Sequence, residues 1–263
     1  MTDYRTWERR TPRQRLVRFT LGLLTIVVAV VAWTLLDVNY SYLTSSPEEF
    51  MDLFNRMYPP NMTYSGEILS PLIETVHIAV LGTALAIVLS VPVALLGAAN
   101  TTPNRASFLL GKFIISASRS VNVIIWALVF VIIFGSGALA GVLAIGLRSI
   151  GFCSKLIAEA IEEIDPGQVE AVKATGANSL ESAIYAIMPQ IKPAIVGVST
   201  YRWDINVRSS TIIGFVGAGG IGVELNTAIN TFQWQNVLTI LIAILALVVF
   251  SEVVSAYLRR KVR

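Results

Sequence analysis

Val237-Leu-Thr-Ile-Leu-Ile-Ala-Ile-Leu-Ala-Leu-Val-Val-Phe250 lies within an apolar stretch, 236–258, in which Glu252 is the only charged residue. A bilayer core about 30 Å thick is crossed by about 20 such residues in an α-helix. A run that does not alternate polar with apolar residues cannot be a strand of a membrane barrel. Comparable stretches at 19–36, 72–98, 108–134, 137–158 and 191–213 bring the number to six. The composition agrees, since 54% of the 263 residues are hydrophobic and 14% are charged, against about 25% charged in soluble domains. Disorder, a disulfide scaffold and an ordinary cytosolic enzyme are excluded at this step. The expected fold is all-α and polytopic, with about six transmembrane helices. One cysteine, Cys153, and one histidine, His77, leave neither a disulfide framework nor a Cys/His metal site within the chain.

The net charge of +3 acquires meaning once the charges are placed. With the N-terminus inside, fifteen Lys and Arg fall on inner segments and only Arg56 on an outer one, while Arg119, Arg148, Arg202 and Arg208 lie within spans. That asymmetry orients a membrane protein with both termini in the cytoplasm. It explains the positive charge without nucleic acid. The first stretch follows six arginines and is longer than a signal-peptide core, so it reads as a retained span. Cys153 is then expected in the cytoplasmic half.

Two loops carry structure. In the outer one, Ser46-Pro47-Glu48-Glu49 predicts a helix cap with a first-turn proline. Phe50, Leu53, Phe54 and Met57 follow on one face until Pro59-Pro60. In the inner loop, 159–190, Asp165-Pro166 predicts one short helix ending at Gly176. Ser179 predicts the cap of a second, which stops before Pro189. Two short helices joined at a glycine form a knob suited to docking.

Within that knob Glu170-Ala171-Val172, then Gly176, then Ala186-Ile187-Met188-Pro189 resembles the EAA motif of ABC-importer permeases, Glu-Ala-Ala-x3-Gly-x9-Ile-x-Leu-Pro. It departs at Val172, Ala186 and Met188, each of them apolar. The resemblance implies that Glu170, Ala171, Val172, Gly176, Met188 and Pro189 couple the chain to a cytoplasmic ABC ATPase dimer. The chain itself lacks a Walker A loop: its only Gly-Lys pair, Gly111-Lys112, is followed by Phe113 and has no upstream glycine. No cofactor is therefore expected here, and ATP with Mg2+ would belong to the partner.

Gly217-Ala-Gly-Gly-Ile-Gly222 satisfies the dinucleotide-binding pattern literally, but it follows a span and no βαβ unit surrounds it. Gly214, Gly217, Gly219, Gly220 and Gly222 read instead as an outer gate or turn whose backbone approaches another element closely. With its lead-in, Asn206-Val207-Arg208, this run looks like the segment of phosphonate ABC-importer permeases. That resemblance covers about 70–258, the transmembrane domain. It leaves 1–18 as a basic N-terminus, 19–69 as the first span and outer loop, and 259–263 as a basic tail. It implies a multi-pass inner-membrane permease used as a pair of identical copies, with a periplasmic or lipid-anchored solute-binding protein outside.

Charges within the spans bear on the cargo. On the fifth span Asp204 and Arg208 are spaced i, i+4 and can neutralise each other as a structural ion pair. Arg202, Asn206 and Ser209 share a different face that lacks a carboxylate, and on the third span Ser116, Arg119 and Asn122 form a similar one. Arginine in mid-bilayer is expensive unless it faces protein or a water-filled path, and its fork matches phosphate oxygens. Arg119, Asn122, Arg202, Asn206 and Ser209 are thus expected on a translocation path for phosphonate or a related phosphorus oxyanion. The alternatives are a permease of the same kind for another solute such as methionine, or an ATP-independent channel or secondary transporter.

Overall fold

A computed structural model describes residues 11–36, 40–102 and 104–262. Arg5, Arg9, Arg10 and Arg263 of the orientation count lie outside them. The chain divides into two units, Met1–Asn55 and Arg56–Arg263. In the first, α1 (Pro12–Leu35) is exposed along its whole described length. Most of α2 (Ser41–Met57) follows, and it corrects the expected cap: Pro47 sits inside the helix, which begins at Ser41. Proline there removes one N–H donor, and the helix runs through that loss. Phe50 and Phe54 are exposed.

The second unit is a bundle built on α3 (Ser65–Gly97). The next crossing is broken into α4 (Arg105–Ser120) and α5 (Val123–Phe134), bent by 88°. α6 (Ala138–Glu162) returns to the knob, made of α7 (Pro166–Ala174) and α8 (Ser179–Ser182). α9 (Met188–Ile213), α10 (Ile221–Asn230) and α11 (Trp234–Val262) complete it. Among the described residues four helices are long and apolar enough to span a membrane, and up to six crossings result if each bent pair is one span.

α3 packs closely on α6 through small residues. A Cβ on Gly82 would lie 2.7 Å from Ile145, and one on Gly146 would lie 2.8 Å from Leu85. Lipid supplies little hydrophobic drive between helices, so close backbone approach and dispersion hold such a pair. At the knob end, Ala94, Cys153, Ile157, Ile161, Ile187 and Ile191 form one buried cluster from α3, α6, the turn before α9 and α9 itself. At the far end Ile78, Ala144, Ile145, Ile213 and Ala218 form another.

The break between α4 and α5 corrects the straight third span. Val121 is extended, and the Asn122 side chain caps α5 by accepting from Ile124 N at 3.1 Å. Asn122 therefore does not continue the face of Ser116 and Arg119. An asparagine ahead of Val-Ile-Ile-Trp is itself a helix-start signal, hidden here because no proline or glycine marks the break.

Candidate functional site

The knob is held by side-chain caps. Asp165 accepts from Gly167 N at 2.9 Å and starts α7, and Gly176 takes φ 89° after its end. The second cap is Asn178 rather than the expected Ser179. Asn178 Oδ1 accepts from Glu181 N at 2.9 Å, and Glu181 Oε2 accepts from Asn178 N at 2.7 Å. Nor does this helix stop before Pro189. It continues through a π-helical turn, Ala183–Ile187, into α9. Pro189 has no N–H for the usual i−4 carbonyl, and the wider turn absorbs the change of register. Gln190, which the sequence did not single out, ties the knob down. Its Oε1 accepts from Asp165 N and its Nε2 donates to Ala186 O, both at 2.9 Å.

Glu170, Ala171 and Pro189 are exposed and Val172 is half-buried. Met188 differs, packing against the buried cluster at the knob end and so facing inward. Leu180, Ile184 and Tyr185 add apolar exposed surface. Tyr185 also lines, with Ala171 and Val172 of α7 and with Gly176, a shallow hollow of about 740 Å3.

At mid-depth the structure gathers arginines from three helices around one turn of α6. Arg202 is buried on α9, and its Nε donates to Ser149 Oγ at 2.8 Å. Its guanidinium carbon stands 5.2 Å from the centre of the Phe152 ring, within cation–π range. Tyr201 lies beside the same ring at 5.9 Å between centroids. Arg148, one turn before Phe152, is half-buried and is an electrostatic neighbour of Arg202. The exposed Arg119, in the last turn of α4, crosses α6 at Gly151, where a Cβ would come within 2.8 Å of its Cγ. Among the described residues no carboxylate pairs with any of the three.

Behind them runs a chain of hydrogen bonds. Ser149 Oγ donates to Asn206 Oδ1 at 3.2 Å, Asn206 Nδ2 donates to Thr83 Oγ1 at 2.9 Å, and Thr83 donates to Ala79 O at 2.6 Å. Every link has a donor and an acceptor, so the chain fixes α9 against α6 and α3. The structure thus corrects the expected path face. Arg202 and Asn206 do share a side, but that side is buried within the subunit, and Ser209 returns its hydroxyl to Ile205 O at 3.0 Å. Arg119 and Arg148 are the members that reach the surface. On the other side of α9, Arg208 pairs with the buried Asp204, whose second oxygen accepts from Ser251 of α11 at 2.8 Å.

At the end remote from the knob, Gly217, Gly219 and Gly220 have φ of 83°, 82° and 75°. Gly217 O accepts from Gly137 N at 2.9 Å and from Ser136 Oγ at 2.6 Å. Ile221 N donates to Thr75 Oγ1 at 2.8 Å. Gly214 and Gly222 meet backbone to backbone, 2.5 Å separating a Cβ on the first from Cα of the second. The run is a turn clamped to α3 and the start of α6.

Residues 86–263 match the family described as "Binding-protein-dependent transport system inner membrane component". The phosphite transport system permease protein PtxC of Stutzerimonas stutzeri is 39% identical over 91% of this chain and 88% of its own length. The phosphate-import permease protein PhnE of Mycolicibacterium smegmatis is 39% identical over 95% of this chain, which spans 47% of that protein. Among solved structures, an inward-facing form of the MetNI methionine ABC transporter matches 77% of this chain and 99% of its own. The TM-score is 0.64 at 22% identity, a likeness of fold.

Proposed function

The chain belongs to the binding-protein-dependent transport system inner membrane components, and we propose that it is the permease of an ABC importer carrying phosphonate, phosphite or phosphate inward. The observation that carries the cargo class is the placement of Arg119 and Arg148 at the surface beside one turn of α6, with the buried Arg202 behind them and no carboxylate paired with any of the three among the described residues. Unpaired positive charge there is costly in lipid and is offset when an oxyanion passes. The 88° break lies directly after Arg119, and irregular backbone at membrane depth belongs where protein or a water-filled cavity surrounds it. Two such permeases, a cytoplasmic ATPase dimer that handles ATP and Mg2+, and an external solute-binding protein complete the machine. The glycine turn serves as its outer gate. Uptake of phosphonates, phosphite, phosphate and methionine, each supplied with the cognate binding protein, tests the reading. The phosphorus oxyanions should enter, and uptake of methionine alone would sink it.

The knob is the surface that receives the ATPase, on the cytoplasmic side with both termini. Ala174, at the exposed end of α7, reports on both points. Cys153 cannot, because it is fully buried. Ala174→Cys should react in intact cells with membrane-permeant thiol reagents alone, and the ATPase should protect it in the purified complex. Rapid modification by an impermeant reagent would reverse the orientation, and labelling unaffected by ATPase would move the docking surface elsewhere.

A further inference from the structure

α9 and α11 are joined near mid-depth and separate toward the end of the chain. Ser251 donates to Asp204 at 2.8 Å and Ser255 to Thr200 O at 3.4 Å, both serines being buried. Beyond them an open groove of about 800 Å3 runs between Pro193, Gly197 and Tyr201 of α9 and Ala256, Arg259 and Arg260 of α11. That volume is in the range of small-molecule sites. Its walls are largely apolar, with Pro193, Gly197 and Ala256 beside Thr200 and Tyr201, and a Cβ on Gly197 would meet no atom within 4 Å. Its mouth is cationic. Arg259 and Arg260 have no ion-pair partner among the described residues, and the sequence adds Lys261 and Arg263 beside them.

We propose that this groove holds an anionic phospholipid of the inner leaflet, with an acyl chain along Pro193, Gly197 and Ala256 and its phosphate at Arg259 and Arg260. Charge complementarity selects this occupant. A basic cluster immediately after a span attracts anionic headgroups, and guanidinium groups bind phosphate oxygens in a fork. A free phosphate ion would leave the apolar walls uncovered. A second copy of the chain is a poor fit, because an isologous contact sets a patch against itself and would oppose Arg259 and Arg260 to their own counterparts. The lipid then fills the gap between the helix that carries Arg202 and the last span. The proposal rests on the cytoplasmic C-terminus inferred above.

Native mass spectrometry of the purified full-length permease, titrated with phosphatidylglycerol, phosphatidylcholine or inorganic phosphate, tests it without any uptake measurement, so its failure is distinct from failure of the transport reading. Phosphatidylglycerol should be retained in preference to phosphatidylcholine, and phosphate should not displace it. Replacing Arg259 and Arg260 together by Gln should weaken retention about thirtyfold, equivalent to ~2 kcal/mol. Gly197→Leu fills the groove where space is open and should expel the lipid from a folded protein. Equal retention of the two lipids, displacement by phosphate, or unchanged retention in Gly197→Leu would each overturn the site. Unchanged retention accompanied by a change of oligomeric state would assign the groove to a second copy.

Discussion

Arg119→Gln is expected to lower phosphorus-oxyanion uptake tenfold to a hundredfold while leaving permease abundance and the affinity of the solute-binding protein unchanged. A hydrogen bond to a charged group contributes about 1.5–3 kcal/mol, and each 1.4 kcal/mol is about tenfold in rate. Glutamine keeps polar contact and removes the charge. Arg119 is exposed, with its stem beside Gly151, so the fold has little to lose. Arg148→Gln should act in the same direction. Arg202→Gln should behave differently, because Arg202 is buried and bonded to Ser149. Its loss weakens the chain through Asn206 to Thr83 as well, and a fall in thermal stability should accompany any fall in uptake. Oxyanion uptake at the wild-type rate in both Arg119→Gln and Arg148→Gln, with each variant folded, would remove the arginines from the path.

How much of this was legible depended on whether one helix or two decided the answer. The caps of the knob lie within a few residues of the features they fix, and Asp165-Pro166 and Gly176 could be read directly. Helical spacing likewise set Arg202 with Asn206 and Asp204 with Arg208 on opposite sides of α9, as the structure has them. Spacing could not say which side faced outward, because α9 packs on α3 and α6 along one side and on α11 along the other. An uncompensated face therefore looked like a path although Ser149 and Thr83, distant in sequence, were its partners. The break at Asn122 was hidden for another reason. No proline or glycine interrupts 112–134, so composition alone supported a straight span, and only the capping chemistry of asparagine argued against one. Arg148 joined the cluster through its neighbours on α4 and α9, which a single-helix reading does not see.

Gly222→Val should abolish accumulation of folded permease, the largest effect expected from any single substitution at the glycine turn. Gly222 opens α10 at the point where its backbone passes Gly214 and the carbonyl of Thr211. A side chain there would collide with the backbone of Thr211 and Gly214. Overpacking a core usually costs about 1–3 kcal/mol because side chains can move aside. Here the obstructing atoms belong to a helix end and a 3-10 turn, so relief requires α10 to leave α9. That displacement would also pull Ile221 N from Thr75 and open the far end of the bundle. Gly66→Ala provides the comparison: it lies in the first turn of α3, and a Cβ there meets nothing within 4 Å. Membrane abundance of the two variants, with size-exclusion profiles and melting curves of the protein that can be purified in detergent, separates the cases. Gly66→Ala should match the parent, and a Gly222→Val protein that melted at the parent temperature would mean that the close crossing of α9 and α10 is not required for the fold.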